Sequence, residues 1–169
     1  TTITSSSTYV ITAANSGGSD TISIVIQVND IIPSISYSGT PFTLTKDTTM
    51  SPAAPTNTGG TVVSWSVTPG LPAGLTLSAT TGVITGTPTA VTSSATYTIS
   101  ATNTGGTAST TVEITVNDIA PNSIAYSPNT LTLTKDTSMT PAMPTSSGGA
   151  VVSWSVSPAL PTGLSINSA

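Results

Sequence analysis

The chain has 169 residues, only 5% of them charged, against roughly 25% in an ordinary globular protein, and its net charge of −4 sets Lys46 and Lys135 against six acids. So few cations leave no basic patch for nucleic acid or an anionic membrane surface, and no apolar run approaches the ~18 residues of a membrane span. The absence of Cys and His excludes disulfides, Cys-based zinc sites, thiol nucleophiles and a histidine base, while abundant Val, Ile and Thr with a mean hydropathy of +0.26 argue for strands over disorder.

In chain order, the first signal is TYVITAANSGG from Thr8, followed by TISIVIQV, in which Ile22, Ile24, Ile26 and Val28 fall on one face at period two. VNDIIP from Val28 reads as a junction. Beyond it, strands are expected over residues 34–38, 42–46, 61–67, 74–78, 82–86, 95–103 and 107–117. Inward alternation is expected for Val63, Trp65 and Val67, for Tyr97, Ile99 and Ala101, and for Val112, Ile114 and Val116, with Glu113 turned to water. NSGG at Asn15, NTGG at Asn57 and NTGG at Asn103 supply turns, because Asn and Gly tolerate the positive φ that tight turns need. TTGV at Thr80 is a further turn. No stretch carries a helical period with caps.

The chain then repeats itself. YSGTPFTLTKDTTM from Tyr37 returns as YSPNTLTLTKDTSM from Tyr126, and GGTVVSWSV from Gly59 returns as GGAVVSWSV from Gly148, both at a spacing of 89. TYVITAANSGG and VNDIIP return as TYTISATNTGG from Thr96 and VNDIAP from Val116 at a spacing of 88, so one residue is inserted near Ser123. Residues 1–30 are thus the C-terminal part of one repeat, 31–119 a complete repeat, and 120–169 the N-terminal part of another. Val152, Trp154 and Val156 repeat the Val-Trp-Val alternation. Thr1 matches Thr89 and Ala169 matches Thr80, so the two partial repeats together lack only the equivalent of TGVITGTP, residues 81–88. Head-to-tail continuation is therefore expected, either as a unit of a longer tandem array or as a subunit whose open halves close with the next copy; chance truncation is the bland alternative. Short strands at about 8–12-residue spacing in a unit of 88–89 residues mean an all-β sandwich.

The run from Leu71 to Val116 carries LPAGLTL, then TGVITGTP, then YTISATNTGG, then an alternating last strand. In this order it resembles the He-PIG family of immunoglobulin-like repeats in bacterial surface proteins, related to dystroglycan-type cadherin-like domains. The resemblance implies an immunoglobulin-like, cadherin-like β-sandwich in tandem repeats. It also implies a role in an extracellular stalk, adhesin or filament at the cell surface, with other copies of the repeat as partners; the alternative is a carbohydrate- or receptor-binding adhesin module. Ligand contacts in that alternative would come from Tyr37 and the loop near Thr107.

Candidate chemistry is sparse. Asn29, Asp30, Asn117 and Asp118 sit at the repeat junctions and look like the cadherin calcium linker, but Ca²⁺ takes six to eight oxygens and the other acidic motifs are missing; the plain reading is a turn with Asp bonding local N–H groups. Lys46 with Asn117 and Glu113 has the residue types of an intramolecular isopeptide crosslink, but the counterpart of Glu113 is Val25, and Lys46 and Lys135 in TKDT read as a solvated Lys–Asp turn. Trp65 and Trp154 have the chemistry of sugar-stacking platforms, yet their Val-Trp-Val setting reads as core. No catalytic constellation is present, no cofactor is expected, and the Gly pairs read as turns. The many Ser and Thr hydroxyls keep the outer faces wet and are potential O-glycan acceptors; no Asn-x-Ser/Thr acceptor occurs.

Overall fold

A computed structural model describes residues 2–167, so the end matches of Thr1 and Ala169 lie outside the described residues. Among the described residues every element is a strand. The chain divides into a unit ending at Asn117 and a second beginning at Asp118.

The first unit opens with a two-stranded antiparallel hairpin of β1 (Thr4–Asn15) and β2 (Gly18–Val28). Pairing sets Ile11 opposite Ile22 and Tyr9 opposite Ile24, so these side chains share one face. After the junction come β3 (Ile35–Tyr37), β4 (Phe42–Thr45), β5 (Pro55–Asn57), β6 (Ser64–Thr68), β7 (Leu75–Leu77), β8 (Ile84–Gly86), β9 (Thr92–Asn103) and β10 (Gly106–Asn117). One sheet has the order β4-β10-β9-β6, with β4 parallel to β10 and the other pairs antiparallel. The pairs β3-β5 and β7-β8 supply the other layer.

The core lies between these layers. Tyr37, Met50, Leu75 and Ile84 from one side meet Trp65, Tyr97, Ile99, Ala101, Val112, Ile114 and Val116 from the other. Strict alternation in β9 and β10 places all six of their core residues inward. The opposite face carries cross-strand hydroxyl pairs, Ser100 with Ser109 and Thr102 with Thr107, each at 2.8 Å. Glu113 is on that outer face, accepting from Ser94. A sheet with so few charges thus stays wet through Ser and Thr.

Trp65 shows why its surroundings must be shaped as they are. Its indole lies against Gly82, where an added Cβ would stand 2.6 Å from the ring. Gly82 also has φ +71°, a backbone region that side chains resist. The Tyr37 hydroxyl donates to the Gly82 carbonyl, which holds this turn over the ring. Burial pushes the Tyr37 phenol up from 10.0 to about 12. The unfolded chain ionises it near pH 10, so this contribution to stability is intact below pH 10 and lost as pH rises toward 12. A Tyr37→Phe variant is expected to show a shallower loss of stability across that window, read from urea midpoints at pH 9 and pH 11. Equal losses in both proteins would refute the assignment.

Several expectations of inward alternation are corrected. Val63 does not point inward but is 70% exposed, and Val62 packs on the core instead. The ladder begins only at Ser64, so the core positions 62 and 65 are three apart, which period two cannot deliver. Val152 and Val156, expected inward beside Trp154, are likewise exposed. Strand β5 was not expected at all, because Pro-Thr-Asn carries no apolar alternation.

Among its described residues the second unit contains one antiparallel pair, β11 (Pro121–Tyr126) with β12 (Pro144–Gly148). It corresponds to β3-β5. The inserted residue is absorbed as a bulge between Asn122 and Ala125, where Ser123 takes φ +51°. The TKDT turn is identical in both copies, with Asp47 at φ +58° and Asp136 at φ +59°. Segments 131–134 and 153–157, the counterparts of β4 and β6, are not strands.

Candidate functional site

The inner face of the sandwich appears twice, once complete and once as separate parts, and the comparison locates the site. In the complete repeat, Ile99 is 0% exposed and Tyr97 5%. Their counterparts on the hairpin, Ile11 and Tyr9, are 51% and 47% exposed. Ile24 and Ile26, the counterparts of Val112 and Ile114, are also exposed. The second unit mirrors this. Tyr126 is exposed where Tyr37 is buried, Leu131 is exposed where Phe42 is half-buried, and Trp154 is half-buried where Trp65 is buried. Each part carries apolar side chains on the face that a sandwich needs, without the layer that would cover them.

A polar feature registers the parts. Asn103 is buried at the end of β9. Its Oδ1 accepts from the Gly105 and Gly106 amides at 2.8 and 3.2 Å, which shapes the β9-β10 turn. Its Nδ2 donates to the carbonyls of Ile31 at 2.6 Å and Thr61 at 3.2 Å. Asn103 therefore ties the hairpin tip to the entering junction and to the approach to β6. In the sequence this Asn reads only as a turn former; the clue to more is its recurrence as Asn-x-Gly-Gly. Asn15 makes the same local bond, accepting from Gly17 at 2.8 Å, but is exposed. Asn57 repeats it with Gly59 at 3.0 Å and adds Ser34.

Close approach at the junction requires glycine. An added Cβ at Gly60 would lie 1.8 Å from the Ile31 carbonyl, and one at Gly149 would lie 1.7 Å from the Ile119 carbonyl. The Gly60 amide donates to Ile32, and the Gly149 amide to Ala120, both at 3.2 Å. The second unit thus builds the same receptacle as the first. There a cleft of about 300 Å³ lies among Asp118, Ile119, Ala120, Ala150, Val151 and Val152.

The proposed calcium residues have local duties. Asp30 Oδ1 accepts from the Ile31 amide at 2.8 Å, and Asp118 Oδ1 from the Ile119 amide at 2.9 Å. Asn29 Oδ1 accepts from Gln27 at 2.6 Å, and the Asn117 carbonyl accepts from the Lys46 amide at 2.9 Å. Among the described residues no three acidic groups gather, so neither dipeptide fits the six to eight oxygens Ca²⁺ requires. The donor set fits junction turns.

The crosslinking residues do not form a buried trio. Asn117 and Glu113 are exposed and Lys46 is half-buried. Lys135 pairs with Asp136 at 3.3 Å, both largely in solvent, where such pairs contribute little. Trp65 and Tyr37 are both core residues. Thr107 belongs to the hydroxyl ladder of β10.

The family comparison agrees with this architecture. The family model described as "Putative Ig domain" (He_PIG) matches residues 25–117, more than half of the chain. No curated protein matches. Among solved structures, the chain is similar to a chimeric titin Z1Z2-Z1Z2 tandem functionalized with a GRGDS exogenous peptide from fibronectin, with 22% identity and a TM-score of 0.36. That match covers 66% of this chain and 65% of the titin chimera, so this chain spans just under two thirds of it.

Proposed function

The chain belongs to the He-PIG family of Ig domains, and on that premise we propose that it is a structural repeat module of an extracellular stalk, adhesin or filament that continues head-to-tail into further copies. The observation that carries this reading is the exposed inner face of the β1-β2 hairpin, set against the buried face of the same residues in β9 and β10. Apolar faces of this kind mark association surfaces. Completing the burial of each such side chain, already about half covered, is worth about 1 kcal/mol.

An extracellular position suits a chain that keeps its outer sheet wet with hydroxyls, and no helix among the described residues is long and apolar enough to cross a membrane. The role is mechanical and connective, not enzymatic. It calls for no cofactor, only for copies of the repeat as partners.

Sedimentation and negative-stain microscopy of the purified chain test the proposal. Linear polymers that lengthen with concentration are expected. A monodisperse 16.7 kDa monomer at high concentration would overturn it.

A further inference from the structure

We propose that the β1-β2 hairpin of one copy inserts between segments 131–134 and 153–157 of a second copy, and that Asn15 is the pin that locks it there. This rests on the head-to-tail reading above and assigns its mating surfaces and register.

The sheet order β4-β10-β9-β6 is the key. The β9-β10 hairpin occupies its centre and supplies the ladder partners of both β4 and β6. In the second unit the counterparts of β4 and β6 are present in sequence but form no strand, whereas β11-β12, which needs no such hairpin, forms as β3-β5 does. Among the described residues the second unit holds no hairpin of the β9-β10 kind. The β1-β2 hairpin is one, carrying Tyr9, Ile11, Ile24 and Ile26 exposed on one face and, among the described residues, two edges without a ladder partner. Strand addition satisfies those edges and covers both apolar faces at once.

The register follows from the complete repeat. Trp65 pairs with Ala101 and Ser66 with Ser100, which sets Trp154 opposite Ala13 and Ser155 opposite Thr12. On the other edge, Ile114 pairs with Phe42 and Val116 with Leu44, which sets Ile26 beside Leu131 and Val28 beside Leu133. At the tip, Asn103 donates to Ile31 and Thr61. The matching carbonyls are Ile119 and Ala150, and both line the cleft of the second unit. An Asn15 carboxamide seated there repeats the pin.

Because the chain has no Cys, crosslinking reads this register directly. A Thr12→Cys/Ser155→Cys chain, oxidised mildly, is expected to give a ladder of intermolecular dimers, trimers and longer species. A Val10→Cys/Ser153→Cys control, whose positions lie four residues out of register, should not. Asn15→Ala is expected to weaken association of the otherwise unaltered chain by about tenfold or more, with circular dichroism confirming that the sandwich of residues 31–117 is intact. A crosslink confined within single chains, equal laddering by the control, or unchanged association of the Asn15→Ala chain would overturn the proposal. Polymers of the parent chain without in-register crosslinking would overturn it too while leaving head-to-tail assembly standing.

Discussion

Trp65→Ala is expected to cost the complete sandwich about 3–5 kcal/mol, whereas the same change at Trp154 should cost about 1 kcal/mol or less in the unassembled chain. The two residues occupy equivalent places in near-identical sequence, GGTVVSWSV and GGAVVSWSV. What differs is the covering layer. Trp65 is 7% exposed, lies against Gly82 and stands opposite Ala101 in the ladder, while Trp154 is half-buried in a segment that forms no strand. Domains of this size are stable by only about 5–15 kcal/mol, so the first change removes a large share of the total. Urea unfolding at low protein concentration measures the difference. Each variant retains a single Trp, so its emission also reports which environment remains. Equal losses at the two sites would show that Trp154 already lies in a finished core.

The second large effect is expected at Asn103. Asn103→Ala removes two donors to the Ile31 and Thr61 carbonyls and one acceptor shared by the Gly105 and Gly106 amides. Leaving such groups unpaired costs about 1–3 kcal/mol each where water cannot reach them. With the turn glycines half-buried, the expected total is about 2–4 kcal/mol. Asn103→Asp separates the contributions, since it keeps the acceptor but sets a carboxylate against two carbonyl oxygens; it too should destabilise. Asn15→Ala loses one exposed local bond and should cost under about 1 kcal/mol in the unassembled chain. Hydrogen exchange at the Gly105 and Gly106 amides provides the local readout. Unchanged protection in Asn103→Ala would mean that the tip holds without its pin.

Much of this was legible in the residues. Period-two alternation gave the inward faces of β9 and β10 and the shared apolar face of β2, because a long strand in a ladder must send alternate side chains to opposite faces. Asn-x-Gly-Gly runs gave turns, and the repeat located the one-residue insertion that becomes the bulge at Ser123. The same logic failed at Val63 and β5. There the backbone pairs over three residues or departs from the ladder, and tertiary packing chooses the buried side chain.

By itself the sequence determined an all-β sandwich repeat of the He-PIG type, its spacing, and the scarcity of chemistry that a chain without Cys or His can offer. Only the tertiary structure decided which copies of the shared motif are covered. Burial depends on a partner layer that can lie far along the chain or outside it. Ile99 and Ile11 sit in near-identical strands, but only Ile99 has the opposing layer of Tyr37, Leu75 and Ile84 above it. The structure likewise turned Asn103 from a turn residue into a pin, because the Ile31 and Thr61 carbonyls it holds are 72 and 42 positions away.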